Sequence, residues 1–191
     1  MKTRTKALLL TLCAALLVCA TVLATMAFLT ATDSVKNTFT VGNVAITLDE
    51  AEVDANGQAV TPENRVDANQ YKLIPGKAYT KDPTIHVATG SEDCWLFVKL
   101  ENGLVDITGA TTIENQMTAK GWAVIDATKN IYAYRSIASA DDDVVVFETF
   151  TLTKDAAVED YETAEIVVTA YAVQADGFTS AADAWAAAGL E

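Results

Sequence analysis

The chain has one histidine, His86, in the run Thr84-Ile-His-Val, and any zinc or imidazole-base chemistry has to pass through it. A zinc peptidase needs several imidazole or carboxylate ligands plus a base, often as His-Glu-x-x-His on one helix. That pattern is absent, so carboxylates would have to complete the ligand set, and no spacing singles any out. Gly-x-Ser-x-Gly is absent too, and the same histidine would have to serve a serine nucleophile. Asp141-Asp142-Asp143 offers oxygens to Ca²⁺ but lacks the interleaved loop of a high-affinity site. His86, Asp141, Asp142 and Asp143 are therefore the metal candidates, with an ordinary strand residue and a solvated turn as the simpler readings. Glu92-Asp93 is no stronger. No catalytic set and no cofactor are expected.

Cys94 lies in the apolar run Cys94-Trp-Leu-Phe-Val98 and reads as a buried, inert thiol. Trp122, Trp185 and Tyr171 could stack on a sugar, but aromatic side chains at strand and helix positions usually belong to a core. The chain carries 13 Lys and Arg against 26 Asp and Glu. A net charge of −13 gives no basic footprint for phosphate, which argues against a nucleic-acid partner.

These residues must be positioned by strands. Val44, Ile46 and Leu48 alternate with smaller or polar residues, as in a half-buried strand. Phe39 and Val41 alternate in the same way, before Gly42-Asn43. Asp54-Ala-Asn56-Gly57 signals a turn within a polar surface excursion, 51–70. Pro75-Gly76 fits the centre of a type II turn. Further strands are expected over Tyr79–Val87, with Pro83 forcing an edge or an irregular start, and over Cys94–Leu100, apolar on both faces. Trp122–Ile125, Ile131–Arg135, Val144–Leu152 and Glu165–Val173 complete the set. A short helix is expected around Ile113–Ala119, and a terminal one after Ser180 as N-cap. Short strands with turn punctuation and little helix point to an all-β fold, an antiparallel sandwich or jelly roll.

The N-terminus adds a location. Lys2, Arg4 and Lys6 precede an apolar run from Ala7, and no acid occurs before Asp33. This is the pattern of a signal peptide over residues 1–27, with cleavage between Ala27 and Phe28 and a second candidate after Ala24. The run from Ala7 to Ala31 is also long enough to cross a bilayer as a helix, so an uncleaved anchor competes. Membrane contact is expected only through that uncleaved signal. Cys13 and Cys19 follow Leu12 and Val18, which do not suit a lipidation site.

Thr25-Met-Ala-Phe28, then Thr32-Asp-Ser34 and Asn37-Thr-Phe-Thr-Val-Gly-Asn-Val44, resembles the exported TasA/camelysin (CalY) family of Gram-positive bacteria. Leu73-Ile-Pro-Gly-Lys77 through Asp82, the Cys94–Leu100 strand and Ala170-Tyr-Ala-Val-Gln174 are similar too. The resemblance spans nearly the whole chain, although residues 102–160 carry no diagnostic motif. It implies processing by a SipW-type signal peptidase and a jelly-roll-like β-sandwich over 28–191. It also implies assembly with copies of itself into an extracellular biofilm-matrix fibre, with 28–41 as a donor strand. Phe28, Val35, Phe39 and Val41 would be the docking side chains, and strand addition to an open edge is physically sound. The same segment pairing within its own sheet is the alternative for a monomer. Two other functions stay open: a camelysin-type surface metallo-endopeptidase, and a surface module binding carbohydrate or host.

Overall fold

The computed structural model describes residues 43–60, 64–104, 112–157 and 164–190, all within the unit Val41–Glu191. The expected signal peptide, the cleavage site at Ala27 and Phe28, and the docking residues Phe28, Val35, Phe39 and Val41 lie outside them. Among the described residues no helix is long and apolar enough to cross a membrane.

The strands are β1 (Ile46–Ala51), β2 (Arg65–Val66), β3 (Ala78–Thr80), β4 (Thr84–Val87) and β5 (Cys94–Asn102). After the helix α1 (Ile113–Ala119) come β6 (Trp122–Asp126), β7 (Ile131–Tyr134), β8 (Asp143–Val145), β9 (Thr149–Thr151) and β10 (Ile166–Gln174). The helix α2 (Ala181–Ala188) follows. One sheet has the order β2-β1-β4-β8 and a second β10-β5-β7-β6, while β3 and β9 form a ribbon. Every pairing is antiparallel. The fold is all-β, with two short helices among the described residues.

The second sheet is apolar on both faces, as the β5 sequence requires. Cys94, Leu96, Val98 and Leu100 join a core with Ile85 and Val87 of β4, Tyr79 of β3, Phe150 of β9, and Ile113 and Met117 of α1. From the opposite face Phe97 meets α2, where its ring centroid lies 5.0 Å from that of Trp185. Tyr171 of β10 packs edge-on to the same indole, at 5.5 Å. Both helices start on the side-chain caps that their sequences suggest. Thr112 accepts from the Asn115 N–H, and Ser180 from the Asp183 N–H. Gly189 ends α2 in the left-handed conformation.

The turns fall where the sequence puts them. Gly76 has φ +77°, and the Lys77 N–H donates to the Ile74 carbonyl across the Pro75-Gly76 turn. Gly57 has φ +69°, and a Cβ there would stand 2.3 Å from the Tyr79 ring, so this turn admits no side chain.

Three expectations need correction. The polar excursion 51–70 contains a strand, β2, paired to the end of β1. The continuous strand expected over Tyr79–Val87 divides into β3 and β4, and that over Val144–Leu152 into β8 and β9. The two breaks face each other, with the Val146 N–H on the Pro83 carbonyl and the Lys81 N–H on that of Glu148. Pro83 has no N–H to continue the ladder, so both chains leave the sheet geometry at that level. A side chain repairs the gap. Gln116 of α1 accepts the N–H groups of Glu148 and Thr149, both at 3.1 Å, and donates to the Thr149 carbonyl at 2.8 Å. Gln116→Ala is expected to cost about 1–3 kcal/mol in urea unfolding, because main-chain groups beside the core lose their partner. An unchanged midpoint would show that the break needs no such support.

Candidate functional site: a groove between two sheet edges

Two strand edges face an open space. β1 pairs with β4 over Ile46–Asp49, but with β2 only at Glu50 and Ala51. Among the described residues the β2 side of Ile46–Asp49 has no ladder partner, and β10 pairs only with β5. Between these edges lies a cavity of about 740 Å³, lined on its apolar side by Leu48, Leu73, Leu104, Phe150, Ile166 and Val168. Its size is that of a binding pocket, and its walls combine β1 and β10 with the segment 67–73 and the link before β4.

The polar wall is tightly paired. Glu50 shares the inward face of β1 with Ile46 and Leu48 and is only 4 % exposed. Its Oε2 lies 2.5 Å from Lys81 Nζ. Its Oε1 accepts from the main-chain N–H and the side-chain amide of Asn69, at 2.9 and 3.0 Å. Asn69 in turn donates to the Ala51 carbonyl and accepts the Val53 N–H. A buried carboxylate needs this many partners to remain charged. Tyr71 also lines the cavity, its hydroxyl donates to the Thr80 carbonyl, and burial, reinforced by the charges of Glu50 and Asp82, pushes its pKa well up.

His86 stands elsewhere, bridging strands of the first sheet. Its Nε2 lies 3.0 Å from Asp49 of β1 and its Nδ1 2.5 Å from Asp143 of β8. Arg65 of β2 reaches the same Asp49 oxygen at 2.6 Å and Asp82 at 2.8 Å. Of the three consecutive aspartates only Asp143 meets His86. Asp141 accepts from the Thr89 hydroxyl, and Asp142 from the Ser139 N–H in its own turn. Among the described residues no group of three or more His, Cys, Asp or Glu side chains is arranged to hold a metal ion. Cys94 is fully buried, and burial, with the nearby charges of Asp93 and Asp142, pushes its thiol up to about 11. Trp122 is fully buried with its indole N–H on the Val145 carbonyl, so it offers no face to a sugar. Trp185 and Tyr171 belong to the cluster under α2.

Asp49, Glu50, Arg65, Asn69 and Lys81 were not singled out by sequence reasoning. One signal was available: Glu50 occupies an inward position of the alternating run that begins at Val44, and a charge there demands a partner. No known protein family, curated protein or solved structure compared with this chain matches it.

The His86 cluster sets a pH dependence. Burial alone would lower the imidazole pKa, but Asp49 and Asp143 outweigh it and hold it above the ordinary value. For Asp49, burial is likewise outweighed, by Arg65 and His86, and its pKa is held low. A raised histidine contributes stability that is full below about pH 6.5 and is lost as pH rises through the folded value. A lowered aspartate contributes stability that is full above about pH 3.9 and is lost as pH falls through the folded value. Urea midpoints are therefore expected to decline above about pH 6.5, and His86→Gln to flatten that decline. An identical decline in the variant would assign it to other groups.

Proposed function

We propose that the chain is a secreted structural subunit of an extracellular fibre, of the TasA/camelysin kind, and not an enzyme. In this reading a SipW-type peptidase removes residues 1–27, and the two four-stranded sheets are the layers of a jelly-roll-like sandwich. The freed segment Phe28–Val41 of one copy then enters the groove of the next. The observation that carries the proposal is the groove itself, bounded by β1 at Leu48–Glu50 and by β10 at Ile166–Val168, two strands with unused ladder positions among the described residues. An extended segment laid there would supply main-chain hydrogen bonds to an edge. Phe28, Val35, Phe39 and Val41 would meet the apolar lining of Leu48, Ile166 and Val168. Head-to-tail insertion of this sort propagates as a filament unless it closes into a ring.

Secreted material is expected to begin at Phe28 on N-terminal sequencing and to form filaments by electron microscopy. Removing residues 28–41 as well is expected to leave soluble monomers; filaments from that form would dismiss the donor-strand mechanism. Val168→Asp, checked for native circular dichroism, is expected to raise the concentration needed for assembly about tenfold or more. The loss of one apolar anchor is worth roughly 1.5–3 kcal/mol. Native material found intact in the membrane with residues 1–27 attached would sink the secreted-subunit reading.

A further inference from the structure

We propose that Lys81 and Asn69 are the two ends of an internal isopeptide bond, formed by the chain itself with Glu50 as the proton carrier. The inference rests on the polar wall of the groove and stands apart from the fibre reading.

One carboxylate touches both reacting nitrogens. Glu50 Oε2 is 2.5 Å from Lys81 Nζ, the nucleophile, and Glu50 Oε1 is 3.0 Å from Asn69 Nδ2, the leaving nitrogen. The Asn69 carbonyl oxygen accepts the Val53 main-chain N–H at 3.0 Å. That places a fixed donor on the atom that gains negative charge when the carbonyl is attacked. The Ala51 carbonyl, 2.8 Å from Nδ2, fixes the plane of the amide. The Lys81 and Glu50 side chains are 12 % and 5 % exposed, so water competes poorly for either. Each group is held by its place in the fold. Glu50 is on β1, Asn69 in the segment between β2 and β3, and Lys81 in the short link between β3 and β4. The contacts that satisfy the buried Glu50 carboxylate also set an amine, a carboxamide and a donor to the carboxamide oxygen side by side. Condensation between an amine and an amide uses all of them.

Lys81 passes a proton from Nζ to Glu50 Oε2, leaving a neutral amine and a neutral acid. The Nζ lone pair forms a bond to Asn69 Cγ, and the carbonyl π pair moves onto Oδ1, facing the Val53 N–H. Glu50 gives its proton to Nδ2 and takes one from the now cationic Nζ. The oxyanion collapses, the Cγ–Nδ2 bond breaks and ammonia departs. Glu50 then yields its proton to the ammonia and returns to the carboxylate. Lysine ammonium and asparagine amide thus become a secondary amide and an ammonium ion, with no oxidant and no cofactor. The cavity lined by Glu50, Asn69 and Lys81 gives the ammonia its way out.

The test is a tryptic digest of the folded full-length chain read by tandem mass spectrometry. The bond blocks cleavage after Lys81. The expected product is a branched peptide in which Val66–Lys72 is joined to Ala78–Lys99, lighter than the two together by one ammonia. Lys81→Arg and Glu50→Gln are each expected to abolish the branch. Asn69→Asp keeps the acyl carbon and is expected to give the same branch with loss of water instead. That variant preserves the test if Glu50→Gln fails to fold. Ring closure at Asn56-Gly57 or Asn102-Gly103 also releases ammonia but yields no branch, so intact mass alone does not decide. Linear Val66–Lys72 and Ala78–Lys81 accounting for all the folded wild type would overturn the proposal. A branch undiminished in folded Glu50→Gln would overturn the role given to Glu50.

Discussion

The second sheet has to be covered twice. Its strand β5 alternates large apolar side chains on both faces, so neither can be left to water without exposing several of them. One face joins β4, β3, β9 and α1 in the main core, and the other lies under α2. The nine-residue ladder between β5 and β10 continues this two-sided packing into a strand that is itself only half-buried. The arrangement explains why a helix, α2, follows β10 in an otherwise β-rich fold. Ala184 and Trp185 close the face that Phe97 and Tyr171 would otherwise leave bare.

Charge is placed with equal economy. The two polar networks lie around neighbouring residues of one strand, Asp49 and Glu50, which alternation sends to opposite faces of the first sheet. Asp49 faces His86 and Arg65, where partial exposure keeps the pairing modest. Glu50 turns inward, where an unpaired carboxylate would be strongly destabilising, and so Lys81 and Asn69 are drawn onto it. This inward charge fixes the path of the segment after β2 and of the link before β4. The shape of the groove follows from it.

The fold was legible from the sequence where periodicity and capping act locally. The β5 and β10 strands, the Pro75-Gly76 and Gly57 turns and both helices stand within a residue or two of their expected places. Pairing between distant segments was less legible. Pro83 signalled a disturbance, but only the opposing chain shows that a second strand breaks at the same level and that Gln116 mends both. The short β2 carries no alternation to detect, since it forms two residue pairs. At the candidate site, His86 was conspicuous as the one imidazole. The Glu50, Lys81 and Asn69 set was hidden, because three common residues far apart in sequence become a unit only when two turns bring them to one wall.

Cys94 lies at the start of β5 with its main-chain N–H and carbonyl both engaged by Ala138 and its sulfur out of contact with solvent. Among the described residues it is the sole cysteine. An alkylating reagent can reach it only when the core parts, so its labelling rate reports how often the folded chain breathes. That gives the molecule a built-in timer for its own opening events.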